Sequence, residues 1–165
     1  LYTVLELIEG PDLCEHLAQS GPVPWRQALE IGIQIADALD TAHRQGLIHR
    51  DVKPANILLV QGPAGLSPRL IDYGIARIIR RAEGQHVTRR GVLLGSPTYM
   101  SPEQIRGELT DARADLYALG CILYEVLTGR PPFIGGSVQS ILFQHLTHPV
   151  TPPSTPSATP CSALT

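Results

Sequence analysis

A short polar loop, residues 49–56 (His-Arg-Asp-Val-Lys-Pro-Ala-Asn), holds several side chains that could do chemistry together. Asp51 could accept or orient a hydroxyl proton, Lys53 could offset negative charge, and Asn56 offers an amide oxygen. Asp72 follows sixteen residues after Asn56 and adds a second hard oxygen ligand, the kind that Mg²⁺ prefers. Transfer of a phosphoryl group asks a protein mainly for positioning and charge neutralisation. These four side chains therefore predict a site for phosphoryl transfer.

The chain around the loop predicts a small β-hairpin that separates Asp72 from Asn56. Leu47–Ile48 and Ile57–Val60 are short β-like runs on either side of the loop. The segment Gln61–Pro68 is rich in glycine and proline and predicts a turn, with Arg69–Ile71 as the returning strand. The hairpin would thus carry the chain from the loop to Asp72.

Apolar spacing predicts helices on both sides of this unit. The first covers Asp12–Gln19, with Asp12 as N-cap. A long core-facing helix follows, with Pro24 as its first residue and Gly46 at its end. Its apolar positions at helical spacing are Trp25, Ala28, Leu29, Ile33, Ala36, Leu39 and His43.

The remaining elements are read from apolar runs and from breaks in them. Asp115–Thr128 is almost continuously apolar, which predicts a helix buried on all sides that ends at Gly129. Ser137–Leu146 predicts a last helix, and Leu1–Ile8 predicts a buried strand. Residues 72–98 show little periodicity, so we expect a mobile surface segment there.

Composition narrows the class of protein. The chain has 165 residues, of which 43% are hydrophobic and 17% charged, as in a globular domain. A net charge of -2 gives no reason to expect a nucleic-acid partner, and no apolar run is long enough to span a membrane. The three cysteines have no CxxC spacing, so we expect reduced thiols and a cytoplasmic location.

Five stretches of the chain resemble the eukaryotic-type protein kinase family. Residues 49–56 are similar to its HRDLxxxN catalytic loop, and residues 72–74 (Asp-Tyr-Gly) to its DFG motif. Residues 95–103 (GSPTYMSPE) resemble the end of its activation segment, with SPE in place of APE. Residues 115–120 and 129–133 resemble its central buried helix and the loop after that helix.

The resemblance covers nearly the whole chain, roughly residues 1–149, and phrases such as KPANILL look like bacterial members of the family. It implies an α+β, mainly α-helical fold: the large, C-terminal lobe of a protein kinase without the N-terminal β lobe. Residues 1–148 would form the hinge strand and this lobe. Residues 149–165, rich in Pro, Ser and Thr, would form a disordered tail.

The resemblance also implies an activity, serine/threonine protein kinase, with ATP and Mg²⁺ as cofactors and a protein Ser or Thr as acceptor. Asp51 would be the catalytic base, Lys53 would contact the γ-phosphate, and Asn56 and Asp72 would bind Mg²⁺. Ser96 stands where the family usually has a threonine that braces Asp51 and Lys53. The implied ATP-binding residues are Leu5 as gatekeeper, Glu6 and Ile8 at the hinge, Asp12 at the ribose and Leu58 under adenine.

A regulatory role is implied for two further residues. Arg50 directly precedes Asp51, and arginine pairs phosphate through two hydrogen bonds, so activation by a phosphate on the 72–98 segment is expected. Thr88 is the predicted phosphosite, with Thr98 and Ser96 as alternatives.

Two features of the family are not found in the sequence. It contains no GxGxxG, and Lys53 is its only lysine, so no second lysine is available for the α- and β-phosphates. We therefore expect negligible activity from these residues alone. Two other functions stay open: a kinase-like phosphotransferase acting on small molecules, and a non-catalytic pseudokinase or binding fragment.

Overall fold

The computed structural model describes residues 6–62, 65–73 and 96–153, which form five α-helices and a two-stranded sheet. Single 3₁₀ turns at Pro54–Asn56 and Pro97–Tyr99 complete the regular structure of this part of the chain. In chain order, the elements are α1 (Leu13–Ser20), α2 (Trp25–Arg44), β1 (Ile57–Gly62), β2 (Gly65–Leu70), α3 (Pro102–Arg106), α4 (Arg113–Thr128) and α5 (Val138–Thr147).

Helix α1 begins where its capping residue predicts. Asp12 accepts a hydrogen bond from the Glu15 backbone N–H at 2.8 Å, and the Glu15 carboxylate accepts one from the Asp12 N–H at 3.2 Å. These reciprocal bonds satisfy two N–H groups that a helix start otherwise leaves open. The prediction for this helix is confirmed, and Gly21 ends it with a positive φ of 73°.

Helix α2 is present, and it buries only part of the predicted face: Ala28 and Leu39 are buried as predicted, and Ala36 packs half-buried against the core. Trp25, Leu29 and Ile33 are 62%, 54% and 53% exposed. The buried positions are Ala28, Ile31, Gly32, Ile35, Leu39 and Ala42. The sequence offers two apolar stripes on this helix, and packing against α4 selects the one that contains the small residue Gly32. Pro24 precedes the helix as its cap and is not its first residue.

Helix α4 passes through the core close to α2. A Cβ at Gly32 would lie 2.8 Å from a methyl group of Leu123, so a larger residue at this position would require the Leu123 side chain to move. The prediction that α4 is buried on all sides is wrong, because Leu116 is 52% exposed and Leu127 is 37% exposed. Its predicted end is confirmed: Gly129 has a φ of 77° and its N–H bonds to the Glu125 carbonyl.

The hairpin is longer and starts its second strand earlier than predicted. Strands β1 and β2 pair antiparallel, with Ile57 opposite Leu70 and Gly62 opposite Gly65. The prediction that 61–68 is a turn is therefore wrong for residues 61–62, which belong to β1, and for residues 65–68, which belong to β2. Residues 63 and 64 lie outside the described residues. Residues 47 and 48 are not a strand, since no partner strand runs beside them in the described part.

The two ends of the chain differ from expectation in different ways. Residues 6–9 form no strand and Leu7 is 85% exposed, so the predicted strand at Leu1–Ile8 is not found there, and residues 1–5 lie outside the described residues. The last predicted helix is confirmed as α5, with Ser137 as N-cap. Residues 149–153 have no helix or strand, and the rest of the predicted tail, like residues 74–95, lies outside the description.

Among the described residues, no helix combines the length and the apolar character needed to cross a membrane.

Candidate active site

One buried carboxylate, that of Asp115, anchors the backbone of the loop 49–56. Asp115, in the first turn of α4, is 1% exposed. Its Oδ2 accepts hydrogen bonds from the His49 N–H at 2.9 Å and from His43 Nε2 at 2.8 Å, and its Oδ1 accepts one from the Arg50 N–H at 2.7 Å. A buried carboxylate is stable only when its oxygens are satisfied in this way. Asp115 therefore fixes the backbone immediately before Asp51.

His49 packs inside the loop. It is fully buried, and its Nε2 lies 2.9 Å from the Ile71 carbonyl, which can only accept a hydrogen bond. Nε2 therefore carries the proton, and Nδ1 is free to accept the Asp51 N–H at 3.4 Å. The imidazole thus links the loop to the chain that leaves β2.

Three of the predicted site residues lie together on the loop. The Lys53 ammonium donates to Asp51 Oδ2 at 2.9 Å, and both side chains are less than one-third exposed. The Asn56 amide nitrogen donates to the Asp51 carbonyl at 2.9 Å. Asn56 is 7% exposed, and this bond turns its amide oxygen away from Asp51. The oxygen is thus the atom that Asn56 can offer to a cation.

The hairpin returns the chain to the loop at Asp72. The Ile71 N–H donates to the Asn56 carbonyl at 2.9 Å, which extends the pairing of β1 with β2 by one step. Ile71 is thus bonded to both Asn56 and His49, and Asp72 is the next residue. Asp72 has a φ of 60°, a left-handed conformation that is uncommon outside glycine and often marks functional sites. Its carboxylate is exposed.

Two of the predicted ATP-binding residues, Asp12 and Leu58, are brought next to each other. They form an isolated antiparallel bridge, and the Leu59 N–H donates to the Pro11 carbonyl at 2.9 Å. The close approach depends on Gly10, where a Cβ would lie 2.3 Å from the Leu59 carbonyl oxygen.

The other predicted nucleotide contacts are less defined. Glu6 is exposed and Ile8 is half-buried, both in irregular backbone that precedes this bridge. Leu5 lies outside the described residues, so the predicted gatekeeper has no described position.

A small open cleft lies beside Asp51. Ser96, predicted to brace the loop, lines this cleft together with Asp51, Tyr99 and Gln104. The Ser96 carbonyl accepts the Tyr99 N–H at 3.0 Å, which closes the 3₁₀ turn 97–99. The structure thus brings Ser96 and Asp51 to one cavity.

Sequence reasoning missed Gln104, which lies on the short helix α3. Its Nε2 donates to the Arg50 carbonyl at 3.0 Å, and its Oε1 accepts the Ser101 N–H at 3.0 Å. The spacing of Ser101 and Gln104 matches the S-x-x-Q capping pattern, a signal that could have found the helix. Nothing in the sequence indicates its contact with Arg50, 54 residues away.

Arg50, the first predicted regulatory residue, has a φ of 66° and its backbone is held on both sides, by Asp115 and by Gln104. Thr88, the second, lies outside the described residues. Among the described residues, no group of three or more His, Cys, Asp or Glu side chains could hold a metal ion alone.

This arrangement agrees with comparisons to known proteins. A sequence model described as the protein kinase domain matches residues 1–159. The chain belongs to the protein kinase family. Family members of this kind generally use ATP and Mg²⁺.

The similar curated relatives are bacterial serine/threonine kinases. The chain is 46% identical over 152 residues to serine/threonine-protein kinase PknB of Mycobacterium leprae, which covers 92% of this chain and 24% of the relative. It is 44% identical over 147 residues to serine/threonine-protein kinase PkaA of Streptomyces coelicolor, covering 89% of this chain and 26% of that relative. The chain therefore spans about a quarter of the length of these relatives.

Proposed function

We propose that the protein transfers the γ-phosphate of ATP to serine or threonine hydroxyls of a protein substrate, and that the described residues form the large-lobe side of that site. The observation that carries the proposal is the Asp51–Lys53–Asn56 cluster, with Asp72 returned to it by the hairpin. We also propose residues 1–148 as a partial kinase domain and residues 149–165 as a tail.

The geometry supports a distinct part for each side chain. Asp51 lines the cleft together with Ser96 and Tyr99, and as the base it would take the proton of an acceptor hydroxyl bound there. Lys53 is within hydrogen-bond distance of Asp51, so it can neutralise charge at the same point. Arg50 and Asp115 also line this cleft, and the bond from the Arg50 N–H to the Asp115 carboxylate fixes the backbone before Asp51.

Mg²⁺ fits the oxygen atoms that the site presents. The Asn56 amide nitrogen is used by the Asp51 carbonyl, which leaves the amide oxygen, and Asp72 adds an exposed carboxylate. Mg²⁺ is usually bound by one or two such groups together with substrate phosphates, and it would neutralise phosphate charge there. The nucleotide would extend towards the Asp12–Leu58 bridge, where β1 meets the start of α1.

Binding of Mg²⁺ and ATP can be tested on this chain whether or not it turns over. We expect ATP with Mg²⁺ to shift the NMR amide signals of Lys53, Asn56 and Asp72, and we expect Asp72→Asn to remove the part that depends on Mg²⁺. Asp40→Asn is the matched control, because Asp40 is an exposed carboxylate that pairs only with Arg44 in a described bond. A nucleotide concentration of about 10 mM would reveal binding with a Kd as weak as roughly 10 mM. The absence of any signal shift at that concentration would overturn the proposed site.

Phosphate transfer is tested on the gene product purified from its own cells. Asp51→Asn should lower transfer to a generic protein substrate by about 10²–10⁴-fold, while Asp40→Asn should retain it. Transfer to a small molecule and to no protein would favour the phosphotransferase alternative. Nucleotide binding without any transfer would favour the pseudokinase alternative.

A further inference from the structure

A buried histidine lies on the far side of the cleft wall from Asp51. His145, in the last turn of α5, is 6% exposed, and it is not part of the site described above. Its Nδ1 lies 2.7 Å from the Tyr117 hydroxyl of α4. The ring of Phe133 meets it edge-on, with centroids 4.7 Å apart. Three separate segments thus hold this imidazole in one orientation.

The other ring nitrogen points at the turn that forms the cleft wall. Nε2 of His145 is buried and has no hydrogen-bond partner among the described groups, and α5 packs directly against the turn 97–99. The turn 97–99 begins directly after Ser96 and contains Tyr99, both of which line the cleft with Asp51. His145 therefore lies where α5 contacts the turn 97–99, which lines the cleft together with Asp51.

Burial keeps this contact electrically neutral. Desolvation lowers the pKa of His145, and the nearby Pro97 and Thr98 backbone opposes this only in part. Burial also raises the pKa of Tyr117, with Cys121 and Glu103 as the neighbouring groups that add to the effect. A neutral imidazole has one N–H and one acceptor nitrogen, and its Nδ1 is hydrogen-bonded to the Tyr117 hydroxyl at 2.7 Å.

We propose that His145, oriented by Tyr117, is a positioning residue that holds the turn 97–99 against the acceptor side of the cleft. The substrate class is the hydroxyl-bearing protein segment that must reach Asp51, so this inference rests on the proposed function. His145 does not touch the reacting atoms. It sets where Ser96 and Tyr99 stand when that segment binds.

The positioning itself is tested on this chain without any activity. His145→Phe keeps the ring volume and removes both nitrogens, and Tyr117→Phe removes only the hydroxyl. We expect hydrogen exchange of the Tyr99 and Met100 amides to speed up by about fivefold in Tyr117→Phe, the equivalent of one lost hydrogen bond, and by more in His145→Phe. His148→Phe is the matched control, because His148 is exposed at the end of the same helix.

The amides of α5 itself show whether each variant is folded. If they stay protected in both variants while exchange at Tyr99 and Met100 is unchanged, the proposal is overturned. If His145→Phe unfolds α5, Tyr117→Phe alone decides, since its side chain is only half-buried.

A second measurement separates positioning from general stability. In any form of the protein that phosphorylates a peptide, Tyr117→Phe should raise the KM for the peptide about fivefold, with kcat and the KM for ATP within about twofold of the parent. An equal fall of activity towards all substrates and ATP would contradict positioning. Failure of ATP to bind at all would refute the proposed function. The hydrogen-exchange measurement would then still test the role of His145 by itself.

Discussion

Replacing Asp115 by asparagine tests whether one buried carboxylate holds the catalytic loop. The carboxylate accepts three hydrogen bonds, two at Oδ2 and one at Oδ1. An asparagine can keep only one acceptor oxygen. Its best orientation leaves that oxygen with His43 and the His49 N–H, and turns its NH₂ group towards the Arg50 N–H. Two donors then face each other in a buried site.

The expected cost follows from this orientation. One charge-assisted hydrogen bond is lost and the Arg50 N–H is left unsatisfied, which together cost about 2–4 kcal/mol. For a chain of this size that is a fall in Tm of roughly 5–15 °C. The measurement is urea and thermal unfolding followed by circular dichroism, with hydrogen exchange at the Arg50 amide, which should be the amide most accelerated.

The control is Asp40→Asn, which removes an exposed carboxylate paired with Arg44 four residues along α2. That change should stay within about 0.5 kcal/mol. Equal effects of the two substitutions, or an Arg50 amide that exchanges no faster in Asp115→Asn, would refute the reasoning.

Three further predictions concern other parts of the chain. Gly10→Ala should lower the free energy of unfolding by more than about 1 kcal/mol, because its Cβ would meet the Leu59 carbonyl. Gly120→Ala, with open space around its Cβ, should instead raise that free energy by about 0.5–1 kcal/mol. Urea unfolding midpoints compare the two variants, and equal midpoints would contradict the close approach at Gly10. Stability should fall as pH drops below 6.5, because the unfolded chain then protonates His145 before the folded chain does. His145→Phe should lose this part of the pH dependence of stability, and an unchanged pH dependence would contradict the role of His145. Desolvation raises the pKa of the buried Glu125, so this residue affects stability in the opposite direction above pH 4.5. Burial raises the pKa of Cys121 to about 12, so a thiol reagent at pH 8 should leave Cys121 unmodified in the folded protein and modify it in urea, as mapped by mass spectrometry.

The chemistry-bearing part of the site could be predicted because it is local. Asp51, Lys53 and Asn56 lie within six consecutive residues, and their roles depend on residue types that the sequence states directly. The start of α1 was also predictable, since Asp12 and Glu15 make their bonds within one helical turn. Such short-range patterns leave few alternatives for the backbone.

Of the two distant partners that hold the loop, one could be predicted and the other could not. Asp115 bonds to His49 from 66 residues away, but a carboxylate at the start of a buried helix needs hydrogen-bond partners, so an anchoring role could be expected for it. Gln104 bonds to the Arg50 carbonyl from 54 residues away, and every residue offers such a carbonyl, so no pattern marks this contact. Part of the buried face of α2 was also missed, because Gly32 carries no apolar signal although it packs against Leu123.

The two distant partners act on the same residue. The Arg50 N–H is bound by Asp115 in α4, and the Arg50 carbonyl is bound by Gln104 in α3. Between these bonds Arg50 keeps a φ of 66°, a conformation that costs a non-glycine residue about 1–3 kcal/mol and needs such support to persist. Because Arg50 directly precedes Asp51, relaxing its φ would change the direction of the Asp51 carboxylate. The core helix and the short helix at the cleft wall therefore both act on the direction of Asp51, and damage to either should reach it through Arg50.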